Sequence, residues 1–183
     1  AFYLTAGAIG RGEIRLTGLD PHSAQGDRAM VEILRDMGAE IRWEGETLVS
    51  RASKLHGLRV DCAQVPDLVP ILAVAMAAAE GESRITGAAR LRIKESDRLS
   101  AMAAALTAAG ADVSELPDGL IIRGGKRLHA AKIEGCNDHR IVMAMTMASE
   151  IADGELTITD AEATAKSAPA FWREFEHLGG LAR

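Results

Sequence analysis

The chain has 183 residues, a formal net charge of −5 and 48% hydrophobic residues. That size fits one domain, whose core must be largely aliphatic because only 3% of the residues are aromatic. The acidic balance argues against nucleic acid or an anionic membrane as a partner, and no apolar run reaches the roughly 18 residues of a membrane-spanning helix. Two cysteines, Cys62 and Cys136, are too few for a disulfide framework or a zinc site and suit a reducing cytoplasm.

The first residues, 1–9, have the apolar pattern of a helix but no initiator Met, no helix cap and no signal-peptide pattern. We therefore expect the sequence to be a fragment that begins inside a longer protein.

Three segments along the chain share one pattern, in which a Gly-Glu dipeptide opens a short strand. The copies begin at Gly12, Gly81 and Gly154, a spacing of about 70 residues. Each copy follows an apolar helical stretch and leads through a polar loop into a second helix. Each second helix is expected to end at a glycine, because glycine fits the left-handed conformation at a helix end. These glycines are Gly38, Gly110 and Gly179.

Strand patterns follow the first two of these helices. Residues 40–49 and 112–122 have the alternation and turn residues of hairpins, and 55–61 and 128–134 match as a further strand. The third copy ends before any such strands. The pattern predicts an α/β domain (α+β in some classifications) of three similar subdomains packed around shared helices. The copies cover about residues 1–65, 66–138 and 139–183 of one domain, 1–183.

The repeat also predicts where a binding site lies. Loops after the Gly-Glu strands should open at one end of the domain, together with the starts of the first helices. Four cations are then expected at this mouth, Lys94, Arg98, Arg140 and Lys166, with several helix N-termini pointing toward them. Converging positive charge favours an anionic ligand that carries phosphate or carboxylate groups.

Arg98 carries the clearest signal among these cations. Ser96 or Asp97 is a natural N-cap, which places Arg98 in the first helical turn, where the helix dipole disfavours a cation. A bound anion would remove this conflict. Asp67 follows Pro66 at another helix start, so it is either an N-cap or a base for a substrate hydroxyl.

The remaining candidates have plainer interpretations. Asn137 and Asp138 are each either a helix cap or a residue of the anion site, and we favour the cap for Asn137. We expect His139 to hydrogen-bond to backbone rather than to carry protons. Lys166 precedes Ser167, a predicted helix cap, and reads as a surface lysine when considered alone.

Two long motifs resemble one known family. Leu91-Arg92-Ile93-Lys94-Glu95-Ser96-Asp97-Arg98-Leu99, followed downstream by Asn137-Asp138-His139-Arg140-Ile141-Val142-Met143-Ala144, resembles the 3-phosphoshikimate 1-carboxyvinyltransferase (EPSP synthase) family. The resemblance extends from Ala1 to about Gly180. It implies transfer of the enolpyruvyl group of phosphoenolpyruvate to the 5-hydroxyl of shikimate 3-phosphate, in aromatic amino-acid synthesis, without a metal or organic cofactor.

The resemblance also implies an architecture of two domains joined by a hinge, each built from three βαβαββ units, in a monomeric protein. This chain would be most of one domain, incomplete at its N-terminus. The family's other domain, and the N-terminal strand that completes this one, would be absent from it.

Roles for individual residues follow from the resemblance. Asp67 resembles the proton acceptor, which also contacts shikimate 3-phosphate, and Lys94 resembles a second contact to that substrate. Glu95 resembles the carboxylate that exchanges a proton with the methylene carbon. Arg90 departs from the pattern, since some members have a shikimate-phosphate-binding asparagine there.

The phosphoenolpyruvate side is similarly implied by resemblance. Arg98 and Arg140 resemble the pair that binds the carboxylate of phosphoenolpyruvate, and Lys166 resembles a lysine that reaches its phosphate. Glyphosate, which occupies this site in the family, would compete for the same three cations. Two alternatives remain: an enolpyruvyl transferase acting on UDP-N-acetylglucosamine, and a non-catalytic anion-binding α/β domain.

Overall fold

The computed structural model describes all 183 residues and has a mixed α/β architecture. Its six α-helices are α1 (Phe2–Ile9), α2 (Ala29–Asp36), α3 (Val69–Ala78), α4 (Arg98–Ala108), α5 (His139–Ala148) and α6 (Phe171–His177). Its nine strands are β1 (Glu13–Leu16), β2 (Glu40–Glu44), β3 (Thr47–Arg51), β4 (Arg59–Asp61), β5 (Gly81–Thr86), β6 (Asp112–Leu116), β7 (Gly119–Gly124), β8 (Leu128–Ile133) and β9 (Ala152–Ile158). None of the helices combines the length and the apolar character required to span a bilayer.

The strands form three sheets, one for each sequence copy. The first sheet has the order β1-β3-β2, the second β4-β5-β7-β6 and the third β8-β9. The three Gly-Glu segments become β1, β5 and β9, as predicted. Both predicted hairpins are also present, and β2–β3 and β6–β7 are each antiparallel pairs joined by a two-residue turn. The threefold repeat in the sequence is therefore a threefold repeat of sheets.

Neighbouring copies share strands. β4 ends the first copy but pairs in parallel with β5 of the second, where Arg59 lies opposite Arg84. In the same way β8 ends the second copy and pairs in parallel with β9 of the third, where Lys132 lies opposite Thr157. Within these residues β1 has no parallel partner of this kind.

The strand predicted over 55–61 is wrong in length. Only Arg59–Asp61 joins the sheet, while His56 forms an isolated bridge with Glu80. The reason is local pairing: Gly57 N donates to the carbonyl of Glu80, and Glu80 N donates to that of Leu55. These bonds use the backbone groups of the first half of the segment, so that half does not pair as part of the strand.

Three helices form the centre of the molecule. α1, α3 and α5 pack on one another, and nine of the ten residues of α3 are buried because the helix is apolar on every side. One continuous core of 44 buried residues surrounds them. Met143, Met145 and Met147 lie in it, which confirms their expected packing role.

The second helices, α2, α4 and α6, end as predicted. Gly38, Gly110 and Gly179 have φ values of +100°, +91° and +97°, a left-handed conformation that costs glycine little. An aromatic group then ties α6 to α1. Tyr3 stacks on Phe171 and donates its hydroxyl to the Phe171 carbonyl at 3.0 Å, so the third copy closes against the first.

Candidate functional site

The predicted site residues converge where α3, α4 and α5 begin. The Asp67 carboxylate lies 3.0 Å from Nη1 of Arg98, 3.5 Å from Nη2 of Arg140 and 3.6 Å from Nζ of Lys94. Glu95 joins the group through Arg98, at 2.7 Å. These residues come from three separate segments, near the starts of α3, α4 and α5, which belong to the second and third copies.

Arg98 is the buried centre of this cluster, with 1% of its side chain exposed. Its Nε donates to Asp138 Oδ2 at 2.8 Å and its Nη2 to Asp138 Oδ1 at 3.3 Å, a two-point ion pair. Nη1 and Nη2 also reach Asp67 and Glu95. In this structure three carboxylates of the protein balance Arg98, so its position in the first turn of α4 does not by itself require a bound anion.

Asp97, rather than Ser96, caps α4, since its side chain accepts from Ser100 N at 3.1 Å. Ser96 plays a different part, because its hydroxyl donates to Asp138 Oδ2 at 3.0 Å.

Asp138 supports the whole cluster and is fully buried. It, rather than Asn137, caps α5, accepting from Arg140 N at 2.9 Å, while both carboxylate oxygens also bind Arg98. Burial by itself would raise the pKa of this carboxyl. The Arg98 hydrogen bond, the Arg140 amide and the Ser96 hydroxyl outweigh burial and hold the pKa below its ordinary value. Asp138 is thus an anion that fixes the position of Arg98, a role that the sequence did not reveal.

Asp67 is not a helix cap. It lies in a 3₁₀ turn, Pro66–Leu68, that leads into α3, and no side chain caps either element. The carboxylate is instead directed to the three cations. Arg140 adds a hydrogen bond from Nη1 to the Asp67 carbonyl at 3.0 Å, which fixes the backbone as well. Of the two roles open to Asp67, the geometry favours the one at the anion site.

Asn137 and Lys166 form a separate pair beside the cluster. Asn137 has a left-handed backbone, with φ of +49°, and does not cap α5. Its carbonyl and its Oδ1 accept from Lys166 Nζ at 2.6 and 2.9 Å. Lys166 is therefore held next to α5 rather than left free on the surface. The prediction that Ser167 caps a helix is wrong, because α6 begins later, at Phe171, and its N-cap residue is Ala170.

His139 does not make the expected backbone hydrogen bond. Its Nδ1 is the one buried side-chain nitrogen or oxygen in the structure without a hydrogen-bond partner. Burial, reinforced by the charges of Arg140 and Arg98, lowers the pKa of the ring. The imidazole is therefore neutral at pH 7, and one carboxylate oxygen each of Glu95 and Asp138 lies 4.0 Å from its Nδ1.

The loop before α4 is anchored by Arg92. Its guanidinium donates to the carbonyls of Leu116 and Pro117 and pairs with Asp97 and Glu115. These bonds fix the loop onto the β6–β7 hairpin and hold the adjacent Lys94 at the mouth of the cluster. Arg90 is exposed and makes no hydrogen bond or ion pair.

Other potential chemistry is not supported at this site. No group of three or more His, Cys, Asp or Glu side chains is arranged to hold a metal ion. Cys62 is buried, and burial together with Asp61 raises its pKa to about 12, so the thiol is inert. The arrangement instead offers anion binding by three cations beside two carboxylates, Asp67 and Glu95, that can exchange protons.

The chain is similar to known proteins over nearly its whole length. Residues 1–175 match the family model of EPSP synthase (3-phosphoshikimate 1-carboxyvinyltransferase). A 3-phosphoshikimate 1-carboxyvinyltransferase of Clostridium novyi is 45% identical over 181 residues, covering 99% of this chain and 41% of the relative. One of Halobacterium salinarum is 44% identical over 187 residues, covering 99% of this chain and 43% of the relative.

Solved structures show the same likeness. EPSP synthase from Acinetobacter baumannii superposes with a TM-score of 0.80 at 33% identity, covering 96% of this chain and 44% of that one. The enolpyruvyl transferase NikO from Streptomyces tendae superposes with a TM-score of 0.81 at 20% identity, covering 100% and 42%, which is a likeness of fold alone.

The architecture is thus that of the enolpyruvyl transferase fold, as predicted. The chain spans about two fifths of the length of the curated relatives that it matches. The sequence match and the superposition coincide over almost all of its residues, and on that basis the chain belongs to the EPSP synthase family.

Proposed function

We propose that this chain forms one wall of an active site that transfers the enolpyruvyl group of phosphoenolpyruvate to the 5-hydroxyl of shikimate 3-phosphate and releases phosphate. The observation that carries this proposal is the convergence of Arg98, Arg140 and Lys94 on one carboxylate, Asp67, with Glu95 beside them. Both substrates are polyanions, and such a mouth is suited to bind them.

The reaction needs a base, an acid and charge stabilisation. Asp67 accepts the proton of the substrate hydroxyl as its oxygen attacks the donor, and Glu95 gives a proton to the methylene carbon. The addition turns the methylene carbon into a methyl group. Glu95 then takes one proton back from this methyl group, the carbon–carbon double bond forms again, and the phosphate leaves with the C–O bonding electrons. Asp67 is 39% and Glu95 41% exposed at the side chain, so both can reach a ligand in the mouth.

Arg98 and Arg140 bind the carboxylate of phosphoenolpyruvate in this proposal, and Lys166 its phosphate. In the ligand-free site, the partners of Arg98 include Asp67 and Glu95. The donor's carboxylate exchanges with one of these partners, while Asp138 remains in place because it is buried. Charge is thereby conserved around Arg98, and one of the two reactive carboxylates is released for chemistry. Glyphosate competes at the same cations.

Lys94 contacts the phosphorylated shikimate on the other side of Asp67. Arg90 occupies the position of a substrate-binding asparagine in some family members. Its side chain is exposed here, and its positive charge is suited to bind the phosphate of shikimate 3-phosphate.

The test is turnover by the full-length protein that carries these residues. Phosphate release is measured with phosphoenolpyruvate and either shikimate 3-phosphate or UDP-N-acetylglucosamine as acceptor. We expect release with shikimate 3-phosphate alone, and Arg98→Ala to weaken phosphoenolpyruvate binding more than that of shikimate 3-phosphate. A preference for the sugar nucleotide would overturn the substrate assignment, and equal loss of both ligands would overturn the role of Arg98.

We propose further that a strand from outside these residues completes the first sheet. Two observations support it. β5 and β9 each pair with a parallel strand, whereas the corresponding edge of β1 is unpaired. The ring of His56 packs against Gly38 at the end of α2, and that of His129 against Gly110 at the end of α4. A Cβ placed on Gly179, at the end of α6, would meet nothing within 4 Å.

A groove lies beside β1, where such a strand would pair. A groove of about 600 Å³ runs between β1 and α6, and Leu178 on its wall is 49% exposed. The amide of His56 donates to Met37 and that of His129 to Ala109, each just before the terminal glycine. By the same pattern the Leu178 carbonyl would accept from the incoming strand.

In the longer protein this chain and a second domain each supply part of the active site. This chain acts as one domain with repeats at about 1–65, 66–138 and 139–183, and the second domain supplies the rest of the site. We expect the 183 residues alone to show no turnover, and appreciable phosphate release by them would refute this. The full protein is expected to be a cytoplasmic monomer, which light scattering and fractionation test.

A further inference from the structure

We propose that His139 is a positioning residue for Glu95: its Nδ1–H holds the Glu95 carboxylate in place once a ligand takes over the Arg98 bond. This inference rests on the proposed function, since it gives a role to a residue of the same site. Its starting observation is independent of that function, namely an unpartnered buried nitrogen beside a carboxylate that has an open oxygen.

A buried nitrogen without a partner is costly, because it has given up its hydrogen bonds to water. His139 is 8% exposed, and its Nδ1 has no partner, in a structure where the other buried side-chain polar atoms all have one. Packing alone would be served as well by an apolar ring. The unpartnered atom therefore points to a bond that forms in another state of the site.

The acceptor of that bond is identified by elimination between two carboxylates. Nδ1 lies 4.0 Å from Oδ1 of Asp138 and 4.0 Å from Oε1 of Glu95. Asp138 is fully buried, and its two oxygens are already occupied by Arg98, the Arg140 amide and Ser96. Glu95 uses only Oε2, toward Arg98, so its Oε1 is the open acceptor.

The bond needs only a small movement. A nitrogen–oxygen hydrogen bond is about 3 Å long, so Oε1 must approach by about 1 Å. The Glu95 side chain is 41% exposed and is held by a single ion pair, at 2.7 Å from Arg98. A carboxylate ligand on Arg98 competes for that pair and frees Glu95 to turn. His139, fixed at the start of α5, then holds Oε1, and Oε2 faces the reacting carbon.

The charge environment suits a neutral donor. Glu95 and Asp138 favour the protonated ring, whereas burial and the guanidinium groups of Arg98 and Arg140 disfavour it, and the balance lowers the pKa of His139. A neutral imidazole can donate from Nδ1 without placing a further cation among these arginines.

The test compares isosteres in the full-length protein. The amide of asparagine places an N–H where Nδ1 stood, whereas that of glutamine places it near the position of Nε2. We expect His139→Leu and His139→Gln to lower kcat roughly ten- to hundredfold, the worth of a hydrogen bond to a charged group, with KM for phosphoenolpyruvate changed less than threefold. His139→Asn should recover most of kcat.

A merely structural histidine predicts a different pattern. If the Asn and Gln variants lost the same activity, the proposal would be overturned. Imidazole ¹⁵N spectra give a readout that does not depend on turnover. We expect a proton on Nδ1 of His139 and a shift of its signals in Glu95→Gln when a donor analogue is bound. A ring protonated at Nε2 alone would contradict the proposal, whereas absent turnover in the wild type would contradict only the proposed function.

Discussion

Replacing Asp138 by asparagine tests whether the buried ion pair between Asp138 and Arg98 holds Arg98 in the site. Asparagine retains an oxygen that can cap α5 by accepting from Arg140 N, and it is nearly the same size. What it removes is the negative charge opposite Arg98, which is 1% exposed. The variant therefore separates the ion pair from the cap and from packing.

The expected loss of stability is at the lower end of the range for a broken buried pair. Removing one partner of such a pair costs about 3–5 kcal/mol, because the other charge stays buried and uncompensated. Here Asp67 and Glu95 still contact Arg98 at 3.0 and 2.7 Å, so part of the compensation remains. We expect a loss of about 3 kcal/mol, which for a chain of this size lowers Tm by roughly 6–12 °C.

Urea unfolding followed by the fluorescence of Trp43 and Trp172 measures this loss, and its pH dependence checks the cause. The pKa of Asp138 is lowered by folding, so its contribution is complete above its unfolded value of about 3.9 and is lost as pH falls through the folded value. The difference between wild type and Asp138→Asn should stay constant from pH 8 to about 5 and narrow below about pH 4. A loss under about 1 kcal/mol, or a difference that does not narrow in acid, would refute the buried ion pair as the support of Arg98.

Other positions give independent tests. In Gly119→Ala the new Cβ would lie 1.9 Å from the Ile85 carbonyl oxygen, so we expect the variant to lose about 3 kcal/mol of stability. The matched control Gly12→Ala, whose Cβ would have no atom within 4 Å, should change stability by less than about 0.5 kcal/mol. Equal melting temperatures of the two variants would contradict the close approach at Gly119. Tyr3→Phe removes the bond to the Phe171 carbonyl and should cost about 1 kcal/mol in urea unfolding, an unchanged midpoint counting against that bond. Iodoacetamide at pH 8 should label Cys62 only after unfolding, because burial raises the pKa of its thiol to about 12, and mass spectrometry of the folded protein would reveal any earlier reaction.

Much of the fold could be predicted from the sequence because local signals repeat in it. The Gly-Glu strands, the apolar first helices and the terminal glycines recur in three copies, and each copy supports the assignment of the others. The two hairpins were also predictable, because in each a short turn follows residues that alternate between apolar and polar. The exchange of β4 and β8 between sheets was not predictable in this way, because strand pairing between copies leaves no mark on the periodicity of either strand.

The sequence predicted which residues form the site but not which hydrogen bonds and ion pairs they make. Arg98 attracted attention because a cation in a first turn is unfavourable, and that reasoning correctly located the cluster. The same reasoning did not reveal the internal partner of Arg98, because Asp138 lies 40 positions away and a capping aspartate looks the same in sequence whether or not it also binds an arginine. His139 was misread for a related reason: the absence of a partner is a property of packing, which no spacing of residues records.

The shared strands have a consequence for how the molecule can fold. Since β4 belongs to the first copy in sequence and to the second sheet in space, the segment that was repeated is not the segment that can fold independently. A polypeptide cut at a copy boundary would lose a sheet edge on one side and carry an orphan strand on the other. A nascent chain therefore completes its second sheet only after β7 has been made, about 60 residues after β4, the first strand of that sheet, has emerged.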